Sequence, residues 1–174
     1  GQEAAYEVFK KPKNSISLAA KLVKDGEADV TVSAGNTGAC MVAAMQHLGM
    51  LPGLDRPMIG GNFLGLAPKT VLLDMGAVVG AQPYHMVNFA VAGTVYARSI
   101  LGIENPTVGL LNVGAEEGKG NEMAKAAYPM LKKSGLNFVG NVEGMDIPLG
   151  KGNVVVCDGF VGNIVIKFCE GLGR

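Results

Sequence analysis

The sequence predicts an α/β protein built on a doubly wound, mostly parallel sheet with helices on both faces. Three observations carry this prediction. Four apolar runs each break off at a turn of glycine, asparagine and acidic residues: 30–33 before 34–38, 71–73 before 74–77, 108–111 before 112–121, and 154–157 before 158–163. Each turn leads into a helix-like stretch, so strand and helix alternate along the chain, as in βαβ units. The runs are mostly apolar, as strands covered on both faces are.

The elements follow in order. Residues 3–10 read as a helix stopped by Pro12. Asn14 or Ser15 caps a second helix, 15–24, closed by Gly26, with Ile16, Ala19, Ala20 and Val23 at helical spacing. Residues 28–33 read as a buried strand and 37–48 as a helix, with Gly49 beyond its end. The stretch 52–68 is loop-like and rich in Gly and Pro, with room for a short strand near Met58 and Ile59. A strand at 70–74 precedes a long helix at 83–100, with Pro83 in its first turn. Next come a strand at 107–113, a helix at 121–133 closed by Gly135, and short strands at 137–140 and 154–157. A last helix begins at 163. No shift in composition marks a boundary, so residues 1–174 are expected to form a single α/β domain. Both ends fall abruptly, as expected of the central part of a longer chain.

Composition narrows the function. Charged residues are 17% and hydrophobic residues 48%, ample for a core, and the formal net charge is zero. A basic footprint for nucleic acid is therefore missing. Three cysteines, Cys40, Cys157 and Cys169, are an odd count without CxxC spacing, which fits a reducing, cytoplasmic compartment rather than a disulfide framework. The start has no signal-peptide pattern, and no apolar run is long enough to span a bilayer. His47 and His85 are too few for a metal cluster, so no metal is expected; no cofactor is expected either.

In an open α/β sheet, ligands bind outside the carboxyl ends of the strands. Four polar turns at such ends point to a shared site for an anion, held by N–H groups at helix starts. Gly35, Gly38, Gly114, Gly120, Gly159 and Gly162 let backbone approach backbone or ligand. Asn36, Asn121 and Asn163 can each cap a helix, or together bind a ligand's oxygens. Asp74 and Asp158 can hold their own turns or touch a ligand. Glu116, Glu117 and Lys119 cluster in one turn, and Lys119, the one cation in the four turns, is a natural phosphate partner. His85 lies at a helix start, where capping competes with a role as proton shuttle. GxGxxG with its acidic partner, GxxxxGK[ST] and GxSxG do not occur, which disfavours dinucleotide, P-loop and serine-elbow sites. Cys157 ends a buried strand and reads as inert core. The chemistry left is anion positioning and electrostatic stabilisation.

The strings SAGNTGA (33–39), PGLDRP (52–57), LLDMGA (72–77), GIENPTVGLLNVGAEEGKGNE (102–122), FVGNVEG (138–144) and VVVCDGFVGN (154–163) resemble the PlsX family, the bacterial phosphate acyltransferases of phospholipid synthesis. KKPKNSIS (10–17) is similar to that family's basic-Asn-Ser segment, and the likeness runs over 3–171. The resemblance implies attack of inorganic phosphate on the thioester of acylated acyl carrier protein, giving acyl phosphate and free carrier protein. It implies the fold of phosphotransacetylases and of the isocitrate/isopropylmalate dehydrogenases, usually as a homodimer. It also implies a cytoplasmic enzyme, peripheral to the inner face of the membrane through segments this chain lacks, with no nucleic-acid partner. In its terms Lys119 neutralises phosphate, Asn36, Asn112 and Asn163 orient it or donate to the oxyanion, and His85 manages a proton. Ser33, Gly35, Thr37, Gly38, Asp74, Gly76, Gly114, Glu116, Glu117, Gly120, Asn121, Asp158, Gly159 and Gly162 complete the expected binding set. The chain departs from the family at Val78, Val79 and Gly80, where Asn-Val-Asp is usual, and at Ala115, where an acidic residue is frequent. Two alternatives remain open: a phosphotransacetylase-like enzyme using acyl-coenzyme A, and a non-catalytic phosphate- or acyl-binding module. A nicotinamide dehydrogenase shares the fold type but lacks its fingerprint here.

Overall fold

A computed structural model describes residues 2–11, 13–63, 65 and 67–173. Its contacts divide the chain into two compact units, Gly1–Pro57 and Met58–Arg174. The first holds three helices, α1 (Gln2–Lys10), α2 (Ser15–Lys24) and α3 (Thr37–His47). Asn14 caps α2 by accepting from the Ser17 N–H at 2.9 Å. Asn36 caps α3 by accepting from the Ala39 N–H at 3.1 Å. Val8, Ala20, Ala39 and Ala43 form the small core of this unit, with Ile16 and Val42 at its margin. The strand expected at 28–33 does not form. Val30 is 72% and Val32 91% exposed, and the described residues of this unit contain no strand to pair with them. An apolar run has no ladder to join without a neighbour.

The second unit is the sheet. Its strands are β1 (Gly60–Phe63), β2 (Ala67–Leu73), β3 (Val108–Leu111), β4 (Phe138–Val142) and β5 (Val154–Val156). Their spatial order is β1-β2-β5-β3-β4. The pairs β2–β5, β5–β3 and β3–β4 are parallel, and β1 is an antiparallel edge. The sheet is thus mostly parallel, as the sequence predicts. Strand β1 begins just after the expected position, because the ladder register places Gly60 opposite Leu73.

Three helices, α4 (Pro83–Ser99), α5 (Glu122–Lys133) and α6 (Gly159–Leu172), sandwich the sheet. On one face Met86, Phe89 and Ala90 of α4 and Ala127 and Leu131 of α5 pack on Val71, Leu73, Leu110, Val154 and Val156. On the other, Val165, Ile166 and Cys169 of α6 lie against Leu72, Val142 and Val155. The alternation of 71, 73, 154 and 156 against 72 and 155 is the two-residue strand period. Val154, Val155 and Val156 are fully buried in the central strand, which is why that run is uniformly apolar. Phe89 is also fully buried, and burial of such a side chain contributes about 1.5–3 kcal/mol. Among the described residues, no helix is long and apolar enough to cross a membrane.

Candidate active site

Parallel pairing of β2, β5, β3 and β4 sends their carboxyl ends to one edge of the second unit. Asp74, Asp158 and Asn112 follow those ends, so three of the four polar turns share an edge.

Asp74 is fully buried. Its Oδ1 accepts from the N–H groups of Ile59, Gly76 and Ala77 at 3.0, 3.1 and 3.0 Å, and its Oδ2 from those of Ala77 and Val78 at 3.1 and 2.7 Å. The carboxylate holds its own turn and ties it to the segment entering β1. Gly76, with φ +132°, lies where a Cβ would stand 3.3 Å from Asn163 Oδ1.

Asp158 caps α6. Its Oδ1 accepts from the Phe160 N–H at 2.8 Å, and its Oδ2 from the Ala81 N–H at 2.7 Å, which fastens the 78–81 loop to the helix start. Helix α6 therefore begins at Gly159, four residues before the expected start, and Asn163 lies within it rather than at its cap. Gly159 and Gly162 bring the first turn of α6 against the Asp74 turn. The Gly159 N–H donates to Val78 O at 2.9 Å, and a Cβ at Gly162 would collide with the Asp74 carbonyl oxygen. The closeness these glycines allow is used between backbones.

Asn112 organises the third turn. Its Oδ1 accepts from the Val113 N–H at 2.8 Å, and its Nδ2 donates to Lys119 O at 3.0 Å. The Lys119 N–H donates to Glu116 O at 3.1 Å. Gly120 has φ +99°, and a Cβ there would run into the Asn112 side chain. Gly114 is buried beside Glu116 and Lys119, 3.0 Å from Glu116 Oε2 and 3.1 Å from Lys119 Cγ by its absent Cβ. Asn121 caps α5, accepting from the Ala124 N–H at 2.9 Å. Glu117 pairs with Lys132 at 3.2 Å, whereas Lys119 is exposed and has no ion-pair partner among the described residues.

Between these turns lies a cavity of about 460 Å³. Asn112, Asn121 and Asp158 supply its polar lining, and Val79, Met123, Phe160 and Val161 much of its apolar lining. The first turns of α5 and α6 border it, an arrangement that favours negative charge. Val161, at the third position of α6, donates its N–H to no acceptor among the described residues. Lys119, Glu116, Glu117, Gly76, Gly114 and Asn163 are not among the lining residues. Nor is His85, which is 3% exposed and caps α4, its Nδ1 accepting from the Gln82 N–H at 2.8 Å.

Ser33, Gly35, Asn36, Thr37 and Gly38 gather at the start of α3 in the first unit. There the Gly35 N–H donates to Ser33 Oγ at 3.1 Å, and a Cβ at Gly35 would press on Ile16.

Sequence reasoning passed over the apolar residues of the cavity. Met123, Phe160 and Val161 each sit one to three residues into a helix behind a polar turn, and that position is the available signal. It also passed over Asn141, a polar residue in the middle of an apolar strand.

A family model described as fatty acid synthesis protein matches residues 1–174. The phosphate acyltransferase of Desulfitobacterium hafniense (strain Y51) is 54% identical over 172 residues, covering 98% of this chain and 51% of that protein. The phosphate acyltransferase of Aquifex aeolicus (strain VF5) is 51% identical over 98% of this chain and 51% of its own length. That of Bacillus cereus (strain G9842) is 50% identical over 98% and 52%. The chain thus spans about half the length of the curated relatives it matches. Among solved structures, the EutD phosphotransacetylase from Staphylococcus aureus superposes with a TM-score of 0.63 at 16% identity, over 99% of this chain and 63% of that one, a likeness of fold.

Proposed function

The chain belongs to the fatty acid synthesis protein family, and from that membership we propose that it carries part of a phosphate acyltransferase acting on acylated acyl carrier protein. In the proposed reaction an oxygen of inorganic phosphate attacks the thioester carbonyl. The tetrahedral intermediate collapses, the carbon–sulfur bond breaks, and the carrier thiolate leaves and takes up a proton. The products are acyl phosphate and free carrier protein. The substrate supplies the nucleophile, so no activated serine or cysteine is required, and the thioester is reactive enough to need no cofactor.

One observation carries the reading: an apolar-lined cavity bordered by two helix N-termini at the carboxyl edge of a parallel sheet. Met123, Phe160 and Val161 offer surface to an acyl chain. The Val161 N–H, with the dipoles of α5 and α6, favours the charge that develops on the carbonyl oxygen. Lys119, exposed and unpaired, serves the phosphate. Asn112, Asn121, Asp74 and Asp158 act by holding the turns, since their side chains are engaged there. Asn163 remains assigned to substrate orientation, whereas the side chains of Asn36 and His85 are engaged as caps of α3 and α4. A homodimer working in the cytoplasm, with peripheral membrane contact, completes the proposal. The likeness to the EutD phosphotransacetylase favours a second reading, in which acyl-coenzyme A is the donor.

The test is turnover of the purified chain with inorganic phosphate and either long-chain acyl carrier protein or the matching acyl-coenzyme A, following acyl phosphate and released thiol. The expected result is phosphate-dependent thiol release from the carrier protein, falling at least about tenfold in Lys119→Ala. Release from acyl-coenzyme A alone would install the second reading. Phosphate binding without turnover would make the chain a binding module.

A further inference from the structure

Asn141 is a buried polar side chain to which the proposed reaction assigns no part. It lies on β4, whose pairing with β3 slips: Val108 pairs with Phe138, but Gly109 pairs with Gly140, leaving Val139 as an extra residue. Gly140 takes φ +95°, a conformation glycine tolerates. Simple alternation from Phe138 would send residues 140 and 142 to the α4–α5 face. The bulge changes this: Val142 packs on the α6 face, and Asn141, paired with Leu110, takes the α4–α5 side. Bulges beside functional sites commonly re-aim a side chain in this way.

The re-aimed side chain is 3% exposed. Its Nδ2 donates to Glu116 O at 2.7 Å across 25 residues of sequence. Its Oδ1 is buried without a hydrogen-bond partner. At the start of the 112–121 turn the Asn112 N–H donates to Val142 O at 2.9 Å; the bonds from Asn112 to Lys119, from Val113 to Asn112 and from Lys119 to Glu116 are local. Besides these, the exposed Glu117–Lys132 pair reaches α5. Among the described residues, Asn141 is therefore the buried side-chain tie between the middle of this turn and the sheet. An amide buried with half its hydrogen bonding unmet is a residual cost of the kind retained at functional positions.

We propose that Asn141 is a positioning residue that, through Glu116 O, sets the turn so that Lys119 meets phosphate. This rests on the assignment of Lys119 to phosphate. Asn141→Asp preserves the shape and the Oδ1 acceptor but replaces the donor with an oxygen facing a carbonyl; Asn141→Ala removes the side chain. Thr94→Val is the control, since Thr94 Oγ1 on α4 is also buried without a partner and is remote from the turn in sequence.

Two readouts are taken on the whole chain. Amide hydrogen exchange over 113–119 is expected to quicken about five- to thirtyfold in both Asn141 variants, with β3 and β5 and the control unchanged. The KM for inorganic phosphate is expected to rise by a similar factor while the KM for the acyl donor stays put, a split that a general loss of folding would not produce. Unchanged exchange over 113–119, or parallel movement of both KM values, overturns the proposal. If Asn141→Asp does not fold, the alanine variant decides by the same criteria. Absence of turnover in the unsubstituted chain would instead sink the acyltransferase reading, and the exchange data would still decide whether Asn141 holds the turn.

Discussion

Cys157 follows β5 at the edge of the cavity, 2% exposed, with its Sγ 3.5 Å from Asp74 O. Burial, then the negative charges of Asp74 and Asp158, push its thiol from 9.0 up to about 12. The thiol stays protonated at neutral pH and offers no nucleophile, in keeping with the proposed attack by inorganic phosphate. The native state holds this proton more tightly than the unfolded chain. The associated stability is fully present below about 9 and is lost as pH rises toward about 12. Denaturant titrations across that interval are expected to show a steeper fall in stability for the native sequence than for Cys157→Ala. Parallel curves would show that the thiol is not held protonated. Asp74 teaches a related point. An acidic residue at the end of a strand reads equally as ligand contact or turn holder, and four backbone N–H groups on one buried carboxylate make it a turn holder.

Helix α6 shows how tertiary contact overrides local preference. The sequence alone starts this helix at 163, where Asn163 can cap it, whereas glycine disfavours a helix interior. The first turn, however, lies so close to the Asp74 turn that a side chain at Gly162 would meet a carbonyl oxygen. Gly162→Ala is therefore expected to displace the helix and destabilise the fold by about 1–3 kcal/mol. The check is a lower urea midpoint with an unchanged m-value. A midpoint equal to that of the native sequence would mean the helix can slide at no cost. The segment 28–33 fails in the opposite sense. Its apolar run has strand-like composition, yet Val30 and Val32 stay in solvent because a strand exists only by pairing.

At the scale of the whole molecule, the contacts separate residues 1–57 from 58–174, and the sheet, its helices and the cavity all lie in the second unit. The 49–57 stretch between helix α3 and the sheet is rich in Gly and Pro and exposed at Leu51, Pro52, Gly53, Asp55 and Arg56. Such segments are the usual sites of nicking. Limited subtilisin digestion is expected to cut there and release a fragment near 58–174 that keeps its circular dichroism and a cooperative thermal transition. A fragment that melts without cooperativity would show that the sheet unit depends on the first.

The order of elements from residue 58 onward, the mostly parallel sheet, the helix caps at Asn36 and Asn121, and the polar turns after β2, β3 and β5 were legible in the sequence. Each is written in a few adjacent residues: an apolar run, a capping side chain, a glycine. Family membership was legible for the same reason, since its motifs are contiguous strings. What only the tertiary structure decided rests on partners far apart in the chain. Asp74 O lies against Cys157 across 83 residues, Asp158 reaches Ala81 across 77, and Asn141 holds Glu116 across 25. Those pairings determine which carboxylates are occupied, which glycines face backbone, which apolar residues line the cavity, and where one strand bulge aims an amide. Sequence spacing encodes local geometry, whereas these contacts exist only once the sheet has set its order and register.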